Sequence, residues 1–419
     1  MTRPQPQPGR RAAAGLIAML ALLTMLSNFH RASLSVIAPE LSAELGLDAA
    51  TLGLANGAFF AALGLMQIPV GVLFDRIGAR ATVASLGVIA VAGAIGHAAA
   101  RDAAEVIVAR FALGVGSAAS FMSAVYLCAR WFGPARLAVT ASRVFALAQA
   151  GTLLAGTPLA AASATIGWRG AFLVAAALTA AIGAAFHALV RDDPPGAVHR
   201  PGAAAPQTLR GAFAGLGTVL ATPGLWPVLA VHCFAYASAA VVLTLWAGPY
   251  LADVHGLGPV GRGNVMLAMA LAQAGGTLLV GPLDLRLNTR KWIVVPMAGG
   301  TLAILAALAA FPAMPAPAAI ALLVSLTAVT TYSVVTVSHG RSLFPEALAG
   351  RGVTTVNLAQ VLGATILPVL TGAVVEHGAG GAVPVPAAAY GLGFGVVALC
   401  LAAGLGVYLA WARDIRPRG

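Results

Sequence analysis

Twelve apolar runs, joined by short hydrophilic segments, occupy most of this chain, at approximately 13–38, 51–73, 81–100, 105–131, 137–165, 168–190, 225–251, 261–283, 291–312, 317–343, 352–375 and 386–412. Each is about the length that carries a helix across the roughly 30 Å of hydrocarbon in a bilayer. Within a run the apolar residues are continuous, so neither an amphipathic surface helix nor a half-buried strand fits them. Charged residues make up only 9% of the sequence, against roughly a quarter in ordinary globular domains. A backbone without water must satisfy its own polar groups, so the expected fold is all-α, with twelve transmembrane helices. The first run is too long, and too closely followed by others, to be a cleaved signal peptide.

The runs divide six and six. Residues 38–80 can be laid without a gap on residues 248–290, bringing Pro39 onto Pro249, Gly46-Leu47 onto Gly256-Leu257 and Gly53 onto Gly263. Gly71 then meets Gly281, Arg76 meets Arg286 and Arg80 meets Arg290. Two duplicated halves of hydrophobic helices place a binding site between them, near mid-depth. The expected organisation is an N-terminal half at 1–190, a linker at 191–224 and a C-terminal half at 225–419. The linker begins Asp192-Asp193-Pro194-Pro195 and is rich in Pro, Gly and Ala, and Thr208–Leu220 reads as a short helix lying on the interface.

Basic residues set the orientation. They gather in the N-terminal tail (Arg3, Arg10, Arg11), in the loops after even-numbered runs (Arg76, Arg80, Arg130, Arg136, Arg191, Arg200, Arg210, Arg341, Arg351) and in the C-terminal tail (Arg413, Arg416, Arg418). The positive-inside rule then puts both termini in the cytoplasm, in a multi-pass protein of the inner, or plasma, membrane. The net charge of +11 therefore marks topology and contact with a lipid bilayer, not nucleic-acid binding. Cys128, Cys233 and Cys400 all lie inside runs, with no disulfide or metal spacing, and no metal or cofactor is expected.

Four segments now carry a resemblance. Gly71-Val-Leu-Phe-Asp75-Arg76-Ile-Gly78-Ala-Arg80 closely resembles the loop signature of the major facilitator superfamily, and it sits where that family has it. Arg110-Phe-Ala-Leu-Gly114-Val-Gly116 in run four resembles the family's second motif. Gly151 to Gly156-Thr-Pro158 looks like a degenerate third motif, and Gly167-Trp168-Arg169 at the start of run six is also typical. The resemblance implies two pseudo-symmetric six-helix halves, alternating access and a monomer; with no Ser–His–Asp arrangement, HExxH or phosphate-binding loop in the sequence, no enzyme activity is expected. In the second-half loop Asp284 comes one position early and Asn288 replaces the glycine; Asp284, Arg286 and Arg290 are expected to grip less tightly there. By its chemistry Asp75 can pair with arginines and an adjacent helix N-terminus, latching the halves in the outward-open state. The alternative is an ordinary positive-inside turn.

Charges within runs are costly and point to function. Arg31, Arg110 and Arg143 lie inside, whereas the thirteen acids fall in loops or near run ends, Glu376 being the nearest to an exception. Three such cations without buried counter-charges either face water or await an anion. Thr24, Ser27, Asn28, Arg31 and Ser35 recur at three- and four-residue steps and share one polar face of run one. The Arg31-to-Pro39 segment resembles run one of the family's organophosphate and anion:cation symporter branches, which implies that Arg31 clamps a phosphate or carboxylate. Those branches often have Asp before the arginine; His30 stands there instead and becomes the candidate for proton coupling.

Arg110 reads either as a packing and coupling residue, as the family implies, or as a substrate contact. Arg143 could also snorkel to the interface. His232 and Tyr236, one turn apart in run seven, are candidate cavity-wall residues. So is Tyr332, with Thr336 and His339, in run ten; Asn357 and Gln360 rank lower. The leading expectation is a transporter for a small organic anion such as a carboxylate, coupled to protons or working by exchange. The alternative is an efflux pump for drugs or other hydrophobic neutral or anionic solutes.

Overall fold

The computed structural model describes residues 9–194, 217, 219–345 and 348–417. Among these residues it is helical throughout, with ten helices long and apolar enough to span a membrane. Two of them, Ala49–Ala99 and Val139–Leu189, are each 51 residues long. A straight helix of that length would reach about 77 Å, far beyond the roughly 30 Å of hydrocarbon. Each is instead broken by a glycine in a left-handed conformation, Gly78 (φ 83°) and Gly167 (φ 74°). Counting both sides of each break gives twelve spans: Arg10–Leu45, 49–77, 79–99, Ala103–Phe132, 139–166, 168–189, Leu225–Asp253, Pro259–Leu287, Lys291–Ala310, Ala316–Arg341, Ala349–Ala379 and Ala387–Trp411. They are called spans one to twelve below.

The internal repeat is visible in the backbone. Span one ends at Gly46 (φ 66°), and its counterpart, span seven, is followed by Gly256 (φ 64°). Gly78 corresponds to Asn288, which is also left-handed at φ 52°; asparagine is among the few non-glycine residues that tolerate this region. The replacement therefore keeps the turn. Within this loop Arg290 Nε lies 3.5 Å from Asp284 Oδ2.

A second correspondence joins the loops to the ends of spans six and twelve. The Arg80 N–H donates to Asp192 Oδ1 at 2.8 Å, and the Arg290 N–H donates to Asp414 Oδ1 at 3.0 Å. Burial raises the Asp414 carboxyl, but donation from the Thr289 hydroxyl and from the Arg290 and Lys291 N–H groups outweighs it and holds the group below its ordinary pKa. In each half an acid after the last span thus fixes the start of the third, where helix N–H groups have no intrahelical acceptor. Most of the linker, including nearly all of the interfacial helix expected at Thr208–Leu220, lies outside the described residues.

The seam between the halves is sealed at one end. An even number of spans puts both chain termini at the opposite end, here called the terminal end. At the far end Ser35 Oγ accepts the Gly248 N–H at 3.0 Å. Only glycine permits this approach, since a Cβ at 248 would lie 1.7 Å from the Ser35 carbonyl oxygen. Glu376 accepts the Ala49 N–H at 3.1 Å, Thr157 donates to Asn264 at 2.8 Å, and Glu40 forms an ion pair with nearly buried Arg262. Spans two and eleven touch through Gly53, Gly57 and Gly64, whereas Gly71, further toward the terminal end, meets only Met122 of its own half. The two halves part beyond mid-depth.

Candidate functional site

Just inside the seal lies a cavity of about 220 Å³ between the halves. Span one contributes Asn28, Arg31 and Ala32; span five, Gln149 and Thr152; span seven, Tyr236, Ala239, Ala240, Leu243 and Thr244. Span eight adds Gln273 and Thr277, and span ten adds Thr330, Thr331, Ser333 and Val334. Polar side chains outnumber apolar ones, in spans that are otherwise strongly apolar.

Local backbone irregularity accompanies this wall. Span five is interrupted at Gln149, between helices Pro134–Ala148 and Ala150–Leu154. Asn28 Nδ2 reaches into the break, donating to the Ala148 carbonyl at 3.0 Å and to Gln149 Oε1 at 3.3 Å. Span seven is π-helical over Val242–Trp246, and span ten is 3-10 over Thr330–Tyr332. Departures from α geometry within a helix concentrate at functional sites, and within a membrane they persist only where protein or a water-filled cavity satisfies the backbone. All three interruptions border one cavity.

Arg31 is the permanently charged side chain of the lining. Its Nη1 donates to the Tyr236 hydroxyl at 3.0 Å across the seam, and its guanidinium lies 5.7 Å from the centroid of the Phe60 ring. Its Nε is buried without a hydrogen-bond partner, and among the described residues no carboxylate pairs with it. Of the span-one stripe, Asn28 and Arg31 reach the cavity, while Ser35 belongs to the seal and Ser27 is buried outside the lining. Tyr236 lines the cavity.

Several candidates lie elsewhere. Arg110 is fully buried and braces its own half: Nη1 donates to the His30 carbonyl at 2.7 Å, Nη2 lies 3.4 Å from Asn56 Oδ1, and the guanidinium sits 4.7 Å from the centroid of Phe59. This arrangement is that of the packing alternative rather than of a substrate contact. Asn56 in turn donates to Thr244 at 3.1 Å, linking the buried cation to the cavity wall of the other half. His30 points away from the cavity, its Nε2 3.1 Å from Thr179 Oγ1 of span six. His232 is buried with Nδ1 2.7 Å from Thr336 Oγ1, and Tyr332 is buried beside lining residues without joining them.

Arg143 is exposed rather than buried, as its snorkelling alternative required. Asp75 and Arg76 are exposed as well, and among the described residues Asp75 has no hydrogen-bond or ion-pair partner. No group of His, Cys, Asp or Glu suited to a metal occurs among the described residues. The sequence reading passed over Gln149, Gln273 and Asn56, although isolated amides within apolar runs were a readable signal. It also passed over Arg262, the partner of Glu40 in the seal.

A family model described as Major Facilitator Superfamily matches residues 20–368. Residues of this chain are 32% identical over 167 positions to the "Probable galactarate/D-glucarate transporter GudP" of Bacillus subtilis, covering 38% of this chain and 36% of that protein. They are 29% identical over 149 positions to the "Quinolone resistance transporter" of Acinetobacter baumannii, covering 35% and 33%. The matches thus span about a third of the length of these curated relatives. Among solved structures, a bacterial homologue of the human lysosomal transporter Spinster, inward-facing and unoccupied, superposes with a TM-score of 0.78 at 17% identity, covering 96% of this chain and 97% of that one.

Proposed function

The chain belongs to the Major Facilitator Superfamily, and from that membership we propose that it is a secondary transporter carrying a small organic anion through the cavity between its halves. The observation that supports this most is Arg31, a half-buried guanidinium at the cavity with an unpartnered Nε and a neutral hydroxyl for a partner. A guanidinium fork matches a carboxylate in shape, and charge-assisted bonds are about twice as strong as neutral ones. The relative named for galactarate and D-glucarate, both dicarboxylates, favours organic anions as the class without fixing the number of charges this cavity takes.

The moving units are residues 1–190 and 225–419, joined by 191–224. With the termini cytoplasmic, the sealed far end faces outward and the cavity opens to the cytoplasm. Alternating access then requires the Glu40–Arg262 and Ser35–Gly248 contacts to part while Asp75 and its loop, with the matching loop around Arg286, close the other side. Protons or a counter-anion drive the cycle, and the monomer suffices. Buried His30 has no exchange with the cavity in this state, so the substrate's own carboxylate is the better proton carrier.

A second reading, efflux of neutral or anionic amphipathic compounds, is favoured by the quinolone-resistance relative and opposed by the polar lining. Proteoliposomes separate the two readings. Counterflow of small carboxylates without amphipathic dyes supports the anion reading; dye transport that carboxylates fail to inhibit rejects it.

A further inference from the structure

Three of the four span-eight and span-ten hydroxyls in the cavity lining, all but Ser333, have protons that are already spent. Thr277 donates to the Gln273 carbonyl at 2.9 Å, Thr330 to the Leu326 carbonyl at 2.9 Å and Thr331 to the Ala328 carbonyl at 2.7 Å. Each hydroxyl has one proton and two lone pairs, so what these side chains offer the cavity is acceptor capacity. Thr244 already accepts from Asn56. The fully buried cation Arg110 is covered by the Phe59 ring, the His30 carbonyl and Asn56, and so does not touch a ligand in this cavity.

We propose that this cavity selects monoanionic, hydroxyl-bearing carboxylic acids and discriminates against dianions of the same length, an inference that rests on the organic-anion reading. One carboxylate satisfies Arg31. A second carboxylate on the same carbon chain would meet the span-eight and span-ten wall, where it finds three spent hydroxyls, the neutral donors of Gln273 and Ser333, and no cation. An ionised carboxyl can only accept, so its desolvation there would be compensated by neutral donors alone, without a counter-charge. Hydroxyls on the substrate do the opposite: each donates a proton to a threonine oxygen that has none left to give. The Gln273 amide, able both to donate and to accept, suits a hydroxylated chain as well. Charge is read on span one and hydroxylation on spans eight and ten.

Four six-carbon probes separate the components: gluconate (one carboxylate, hydroxylated), glucarate (two carboxylates, hydroxylated), hexanoate (one carboxylate, no hydroxyls) and sorbitol (hydroxyls, no charge). Binding is measured calorimetrically on the full-length purified protein at neutral pH. Gluconate is expected to bind tightest, with glucarate and hexanoate each at least about tenfold weaker and sorbitol undetectable. Gln273→Arg, or Thr277→Arg should the first fail to fold, adds a second cation to the wall and is expected to reverse the order of gluconate and glucarate. Glucarate binding as tightly as gluconate to the unmodified protein overturns the charge discrimination, and hexanoate matching gluconate overturns the reading of the hydroxyls. Absence of binding by all three anions is a different result, which removes the organic-anion function itself.

Discussion

Arg31 of span one donates to the Tyr236 hydroxyl of span seven at 3.0 Å, and this bond joins the two halves at the cavity wall. It aims a guanidinium that has no carboxylate partner among the described residues. Because Tyr236 accepts here, its own proton is available to a ligand. Tyr236→Phe keeps the ring and removes the acceptor, so Arg31 loses its aim but not its charge. Anion affinity is expected to fall about fivefold, near 1 kcal/mol, with the melting temperature of the empty protein almost unchanged. Calorimetry and a thermal melt on the same preparation check both halves of the statement.

The far-end seal makes a conformational prediction. Arg262 is 5% exposed in its side chain and pairs with Glu40 across the seam. Glu40→Gln leaves that cation without its counter-charge, which should destabilise the sealed conformation by about 1–3 kcal/mol. Distances between spin labels at the far ends of spans one and eight should lengthen in a larger fraction of molecules. Adding Arg262→Gln to the same chain removes the orphaned charge and should restore part of the lost melting temperature; no recovery would argue that the pair is incidental.

Asp75 is exposed and has no partner among the described residues in this conformation. Asp75→Asn should therefore leave the melting temperature of this state unaltered while weakening the opposite one, where the latch would form. Transport is expected to slow by at least about tenfold, equivalent to roughly 1.4 kcal/mol. A correctly inserted variant with normal transport would return the loop to the ordinary-turn reading.

His30 is buried against Thr179 and faces away from the cavity. His30→Gln can retain a hydrogen bond to Thr179, so the pH dependence of uptake in proteoliposomes should not change. A flattened profile would restore the residue to proton coupling through a state other than this one.

Most of the fold was legible because hydropathy acts on whole segments. The gaps expected at 73–81 and 165–168 contain the breaks at Gly78 and Gly167, and the span expected at 105–131 is observed as Ala103–Phe132. The Gly46/Gly256 pair was readable too, since a left-handed turn leaves a residue type behind. The site was legible only along span one. Its three-residue spacing gave Asn28 and Arg31, but spacing cannot show how far a helix is rotated toward its neighbours, and Ser27 turned out to lie outside the lining. The π turn at Val242–Trp246 and the 3-10 turn at Thr330–Tyr332 have no Gly or Pro to announce them. Val242–Trp246 packs against spans one and two of the other half, whereas Thr330–Tyr332 packs mainly within its own half; Thr244 and Thr331 reach the cavity and Tyr332 lies behind it. Arg110 shows the same limit: a cation in an apolar run signals an unusual environment, but not whether water or a carbonyl supplies it.

The proposed function depends most on Arg31 holding the anion. The most direct test is anion affinity in Arg31→Lys and Arg31→Ala, with melting temperature measured on the empty proteins. Lysine keeps the charge but loses the fork, so Arg31→Lys should weaken binding partially and Arg31→Ala by about 2–3 kcal/mol, roughly 30- to 150-fold. Because Arg31 has no counter-charge among the described residues, empty Arg31→Ala should melt at or slightly above the temperature of the unmodified protein. An Arg31→Ala protein that melts much lower yet binds gluconate with undiminished affinity would make the arginine a structural element and contradict the account.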